Sequence, residues 1–104
     1  MKKNRLVLSD AAAADIIAQA DWFSAQSGRI LAARWEGAVT SAIMRVLHRP
    51  NTGTPCHIQG AELHDLRRTT IPGFPKHLLF FKFDRDEVLI VRVVHGARDL
   101  EPLL

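Results

Sequence analysis

The chain has 104 residues, of which 47% are hydrophobic and 24% charged. That is ordinary globular composition, so disorder, collagen and coiled coil are excluded as whole-chain descriptions. Fourteen Lys and Arg against eleven Asp and Glu give a formal charge of +3, a mild basic excess that permits acidic partners without demanding them. The length predicts one domain, residues 1–104, burying roughly two-thirds of the surface of the unfolded chain.

Cys56 is the single cysteine, so an internal disulfide is excluded, as is any zinc site built on a pair of cysteines. There is no tyrosine, which removes any mechanism that needs a phenol. The basic N-terminus leads only into Leu6-Val7-Leu8 before Ser9-Asp10, too short for a signal-peptide apolar region. No apolar run approaches the roughly 20 residues that span a bilayer, and the expected location is cytoplasmic with no membrane contact.

Residues 5–8 read as a short apolar strand. Ser9 or Asp10 can cap the helix that follows by accepting a hydrogen bond from its first free N–H groups. Within that helix Ala13, Ile16, Ile17, Ala20 and Phe23 recur at helical spacing, and Gly28 stops it. A second helix is expected from about Arg29 to His48, with Ile30, Leu31, Trp35, Ala38, Val39, Ala42, Ile43, Val46 and Leu47 on its apolar face and Pro50 ending it. The link is so short that the two helices must form an antiparallel hairpin. Residues 49–64, with two prolines and two glycines, read as a loop.

The remainder is strand-like: Leu66–Ile71, a turn at Pro72–Pro75, His77–Phe83, a tight turn at Asp84–Asp86, and Glu87–His95. The predicted fold is α+β, in the order β-α-α-β-β-β. It is an antiparallel sheet covered on one face by the helix hairpin, with the other face open to a partner.

The charge is uneven. Residues 67–98 carry seven basic and three acidic side chains, while Asp99 and Glu101 make the tail acidic. No GxGxxG, Walker A, His-Glu-x-x-His or GxSxG pattern occurs. The histidines at 48, 57, 64, 77 and 95 are scattered, so no metal site and no cofactor are expected. His48 suits the negative end of its helix, and Cys56 beside His57 reads as an inert thiol. What remains is a basic set: Arg67, Arg68, Lys76, His77, Lys82, Arg92, His95 and Arg98. Alternation places Arg92 on one face with Val88, Ile90 and Val94, where it needs a partner, for instance Asp99 or Glu101. Gly96 is expected to permit an unusual backbone turn. Trp35 reads as core and Trp22 as a half-exposed side chain able to anchor a partner.

The chain resembles the RelE/ParE toxin superfamily of bacterial type II toxin–antitoxin systems, in its ParE-like, plasmid-stabilisation branch. The resemblance rests on Leu6-Val7-Leu8-Ser9 with Ala13-Ala14-Asp15-Ile16, then Pro50-Asn51-Thr52-Gly53 and Leu66-Arg67-Arg68. It continues through Ile71–His77 and Leu79-Phe80-Phe81, and is most specific over Ile90–Asp99. It implies a small toxin neutralised by a cognate antitoxin, and in the ParE-like branch an inhibitor of DNA gyrase. The RelE-like alternative is a ribosome-dependent mRNA endoribonuclease. Its charge and proton-transfer groups here would be Arg68, Lys76, His77, Arg92 and His95, but its usual C-terminal tyrosine is missing. A non-toxic family member is the third reading. For partner binding the expected residues are Trp22, Arg67, Arg68, Arg92 and Arg98.

Overall fold

A computed structural model describes residues 3–56 and 65–96. The elements run β1 (Arg5–Leu8), α1 (Asp10–Ser27), α2 (Arg29–His48), a 3-10 turn at Pro50–Thr52, β2 (Thr54–Pro55), β3 (Arg67–Ile71), β4 (Phe74–Asp84) and β5 (Glu87–His95). The strand order across the sheet is β1-β5-β4-β3-β2. The strands β2 to β5 pair antiparallel, as the meander predicts, and β1 joins the free side of β5 in parallel. The two-residue β2 falls inside the segment expected to be loop.

Ser9 begins α1 as expected: its hydroxyl accepts from the Ala12 N–H at 3.0 Å. Only Gly28 separates the helices, at φ +92°, a left-handed backbone that glycine adopts without a Cβ penalty. Trp35 is fully buried at the centre of the hairpin, donating its indole N–H to the Ile16 carbonyl at 3.2 Å. Around it pack Phe23, Val39, Ala42 and Val46 from the helices, and Ile71, Leu79, Phe81, Val88, Ile90 and Val93 from the sheet. Two expected core positions are corrected. Ile17 is 62% exposed and Ile30 76% exposed. Ile16 and Ile17 lie about 100° apart around the helix, so only one of them can face the core, and Ala12 takes the remaining place.

The hairpin between β4 and β5 turns at Arg85-Asp86, both at positive φ (50° and 63°), the twist-matched geometry of a two-residue connection. Further along, the pairing shifts between Phe80 and Phe81, which oppose Arg92 and Ile90 and leave Val91 as an extra residue. This bulge overturns the expected alternation in β5. Val93, not Val94, joins Val88 and Ile90 in the main core. Val94 instead packs with Phe80 and Leu66 in a second buried cluster, flanked by Cys56, Leu78 and Val91. The sheet face away from the helices is therefore not an open polar surface: Phe80 is only 1% exposed. Among the described residues no helix is long and apolar enough to cross a membrane.

Candidate functional site

Strand β1 ends at Leu8, so β5 continues beyond it with no strand on that side. The start of α1 takes over the role of the missing strand. The Ser9 N–H donates to the Ile90 carbonyl at 3.0 Å, and the Ser9 hydroxyl donates to the Val91 carbonyl at 2.8 Å. Further along α1, Asp15 accepts from the Val93 N–H at 3.0 Å. The same carboxylate takes Arg92 in a two-pronged grip, with Nε at 2.7 Å and Nη2 at 2.8 Å. Both side chains are largely buried, at 18% and 14% exposure. The Asp15 hydrogen bonds raise the Arg92 guanidinium above its ordinary range, burial opposes this, and the Asp15 charge adds to the rise. Arg92 thus has an internal partner on α1, while Asp99 and Glu101 lie outside the described residues.

Past Val93 the edge of β5 opens into a groove of about 620 Å³, between α1 and the strand end. Ala18, Gln19, Trp22 and Phe23 form one wall, and Val94, His95 and His77 form the other. Trp22 is 56% exposed and stands against Phe23, with ring centroids 5.5 Å apart. His77 and His95 are cross-strand partners in T-shaped contact at 5.1 Å. His77 is buried against Trp35 at 4.9 Å, with Phe23 and Phe74 also around it. The groove is of mixed character, with Ala18, Trp22, Phe23 and Val94 beside Asp15, Gln19, His77 and His95.

The predicted residues divide between two places. Trp22, His77 and His95 line the α1–β5 groove and Arg92 is tied to its Asp15, while Lys76, next to His77 in β4, is exposed and its carbonyl accepts from the Gly96 N–H at 2.6 Å. Arg67 and Arg68 lie two strands away on β3, about 10 Å across the sheet from β5. Arg67 donates to the Gly53 carbonyl at 2.9 Å, and Arg68 is exposed. Arg98 lies outside the described residues, as do His57 and His64. Gly96 is not at positive φ; a Cβ there would stand 3.1 Å from Leu78 Cδ1 and 3.2 Å from the Lys76 carbonyl, so glycine serves close approach rather than an unusual turn. Cys56 is part-buried, which raises its thiol above the usual range, while the nearby Arg68 charge pulls it down. No group of three or more potential metal ligands occurs among the described residues. The sequence reading missed Asp15 as the partner of Arg92, although its place in the helix that follows the Ser9 cap was visible.

A chain of the chromosomal ParDE toxin–antitoxin system from P. aeruginosa has this fold, with a TM-score of 0.72 at 19% identity, covering 89% of this chain and 96% of that one. No curated protein sequence matches the chain. The fold is thus one found in a toxin–antitoxin system. The family described as the ParE toxin of the type II toxin–antitoxin system parDE matches residues 6–100, and the chain belongs to it.

Proposed function

We propose that this protein is the toxin of a type II pair, that it inhibits DNA gyrase when free, and that a cognate antitoxin silences it by occupying the α1–β5 groove. Family membership over residues 6–100 carries the reading. The groove supports the antitoxin part: an exposed Trp beside a groove of mixed apolar and polar lining at a strand edge suits an amphipathic or extended tail. A binding role also suits the state of the basic residues. Arg92 is engaged by Asp15, and His77 is packed among aromatic rings. The acid–base groups of the ribonuclease alternative are thereby reduced to His95 and Lys76, with Arg68 held two strands away.

Purified toxin added to gyrase should abolish supercoiling of relaxed plasmid and trap cleaved DNA complexes, and the antitoxin should reverse both effects. Unchanged supercoiling with no trapped complex overturns the gyrase assignment. Cleavage of mRNA on translating ribosomes would replace it.

A further inference from the structure

The rim of the sheet opposite the groove has a charge pattern that antitoxin docking at α1–β5 does not use. The sequence contains no carboxylate between Glu36 and Glu62, nor between Asp65 and Asp84. These two acid-free stretches supply the end of α2, the 3-10 turn, β2, β3 and most of β4. They place Arg45, bonded to Thr69, and Arg67, opposite Phe81, on the helix side of β3, with Arg68, opposite Phe80, on its other side; Arg49 follows α2 beside the 3-10 turn.

Two of these guanidinium groups are held by neutral partners. Arg45 donates to the Thr69 hydroxyl at 2.9 Å and to the Thr70 carbonyl at 3.0 Å. Arg67 donates to the Gly53 carbonyl. These bonds orient the cations without cancelling their charge, unlike Asp15 with Arg92 or Glu87 with Arg5. Next to them, Thr52, Thr54, Arg68, Thr69 and Thr70 line a shallow cleft of about 400 Å³, completed by Leu78. Hydroxyls and guanidinium groups are the side chains that meet phosphate oxygens, and contacts of this kind position a nucleic acid without reading its bases.

We propose that the β2–β3 rim, with Arg68 lining the threonine cleft and Arg45, Arg49 and Arg67 along its edge, binds the phosphodiester backbone of a nucleic acid. The threonines favour this over an acidic peptide. The hydroxyls of Thr54, Thr69 and Thr70 can donate to the several oxygens that each phosphate presents along a regular backbone, while that of Thr52 is bonded to the Arg49 carbonyl; isolated carboxylates would need only the arginines. The site is separate from the groove, so a toxin bound at one can remain open at the other.

The test uses the full chain with fluorescent duplex DNA of about 20 base pairs and single-stranded RNA of about 20 nucleotides, read by anisotropy from about 50 mM salt upward. Binding to either is expected to weaken with salt with a log–log slope of roughly −3, the signature of a few phosphate contacts. Arg49 and Arg68 are exposed and make no internal side-chain bond among those described, so R49Q/R68Q should fold normally. This pair should weaken binding about tenfold and flatten the slope by roughly 2. The control R29Q/R34Q, on the exposed start of α2, should change neither.

Three results overturn the proposal. One is no binding at about 50 mM salt. Another is an equal loss in the control pair. The third is a poly-glutamate peptide that binds at least as tightly as both nucleic acids and is lost in R49Q/R68Q, which makes the rim an acidic-peptide site. The comparison of DNA with RNA identifies the source of the backbone. No gyrase is present, so a toxin that inhibits gyrase yet fails this assay loses only the present proposal.

Discussion

Asp15 and Arg92 are joined through two hydrogen bonds of 2.7 and 2.8 Å, and the same carboxylate receives the Val93 backbone N–H. One side chain thus pins a helix to the bulged end of a strand, satisfies an open sheet edge and neutralises an arginine lodged in an apolar strand. Asp15→Ala leaves a mostly buried guanidinium without its carboxylate and the Val93 N–H without its acceptor, and should cost about 3 kcal/mol in denaturant unfolding. The double change D15L/R92L should recover most of that loss. A single loss below about 0.5 kcal/mol would show the pair to be ornamental.

Gly53 lies under Phe81. A Cβ at this position would stand 2.5 Å from the ring's Cζ and 2.7 Å from Cε1, and the ring is fully buried. Gly53→Ala should therefore destabilise by about 1–3 kcal/mol through overpacking. Adding Phe81→Leu should restore part of the loss, because the smaller side chain vacates the contact. Thermal melts of the three variants decide the point.

Trp22 is the surface anchor most separable from the fold. Trp22→Ala removes a side chain that is more than half exposed, so stability should fall by no more than about 1 kcal/mol. Antitoxin affinity should fall far more, about thirtyfold or greater, if the side chain is a hot spot of the groove. Titration calorimetry against the antitoxin, beside a melt of the free toxin, separates the two effects.

Burial raises the Cys56 thiol, and Arg68 partly offsets that rise. A thiol whose folded-state pKa is raised favours the protonated form. Its contribution to stability is complete at low pH and is lost as pH climbs past about 8.5, where the unfolded chain ionises first. Alkylation of Cys56 by iodoacetamide near neutral pH should therefore run several-fold slower than that of a free cysteine. Arg68→Gln should slow it further, and acceleration in that variant would contradict the stated balance.

Much of this architecture is legible in the sequence because the helices and strands announce themselves by period. Trp35, Val39, Ala42 and Val46 recur at helical spacing and are all buried. The turn expected at Asp84–Asp86 is in place, whereas the one expected at Pro72–Pro75 closes by Gly73, and Phe74, Pro75 and Lys76 already belong to β4. What periodicity conceals is the bulge at Val91, since a single extra residue reverses the facing of everything after it and leaves no mark in composition. That reversal moved Val94 to the second cluster and put Arg92 opposite Phe80, from where its side chain reaches Asp15 at the sheet edge. The candidate site was half visible for the same reason. Trp22 and the basic residues could be picked out singly, but only the pairing of strands shows that His77 meets His95 and that Arg68 does not join them.

The parallel pairing of β1 with β5 has a consequence for how the protein comes into being. Leu6 lies beside Val88, and Leu8 beside Ile90, partners some eighty residues apart. At synthesis rates of about 5–20 residues per second, the first strand waits several seconds for its mate. The α1–β5 groove shares that delay, since one wall is made early and the other nearly last. The groove is therefore incomplete until β5 has been made, and under the proposed function capture by an antitoxin there is a late event in the life of each newly made chain.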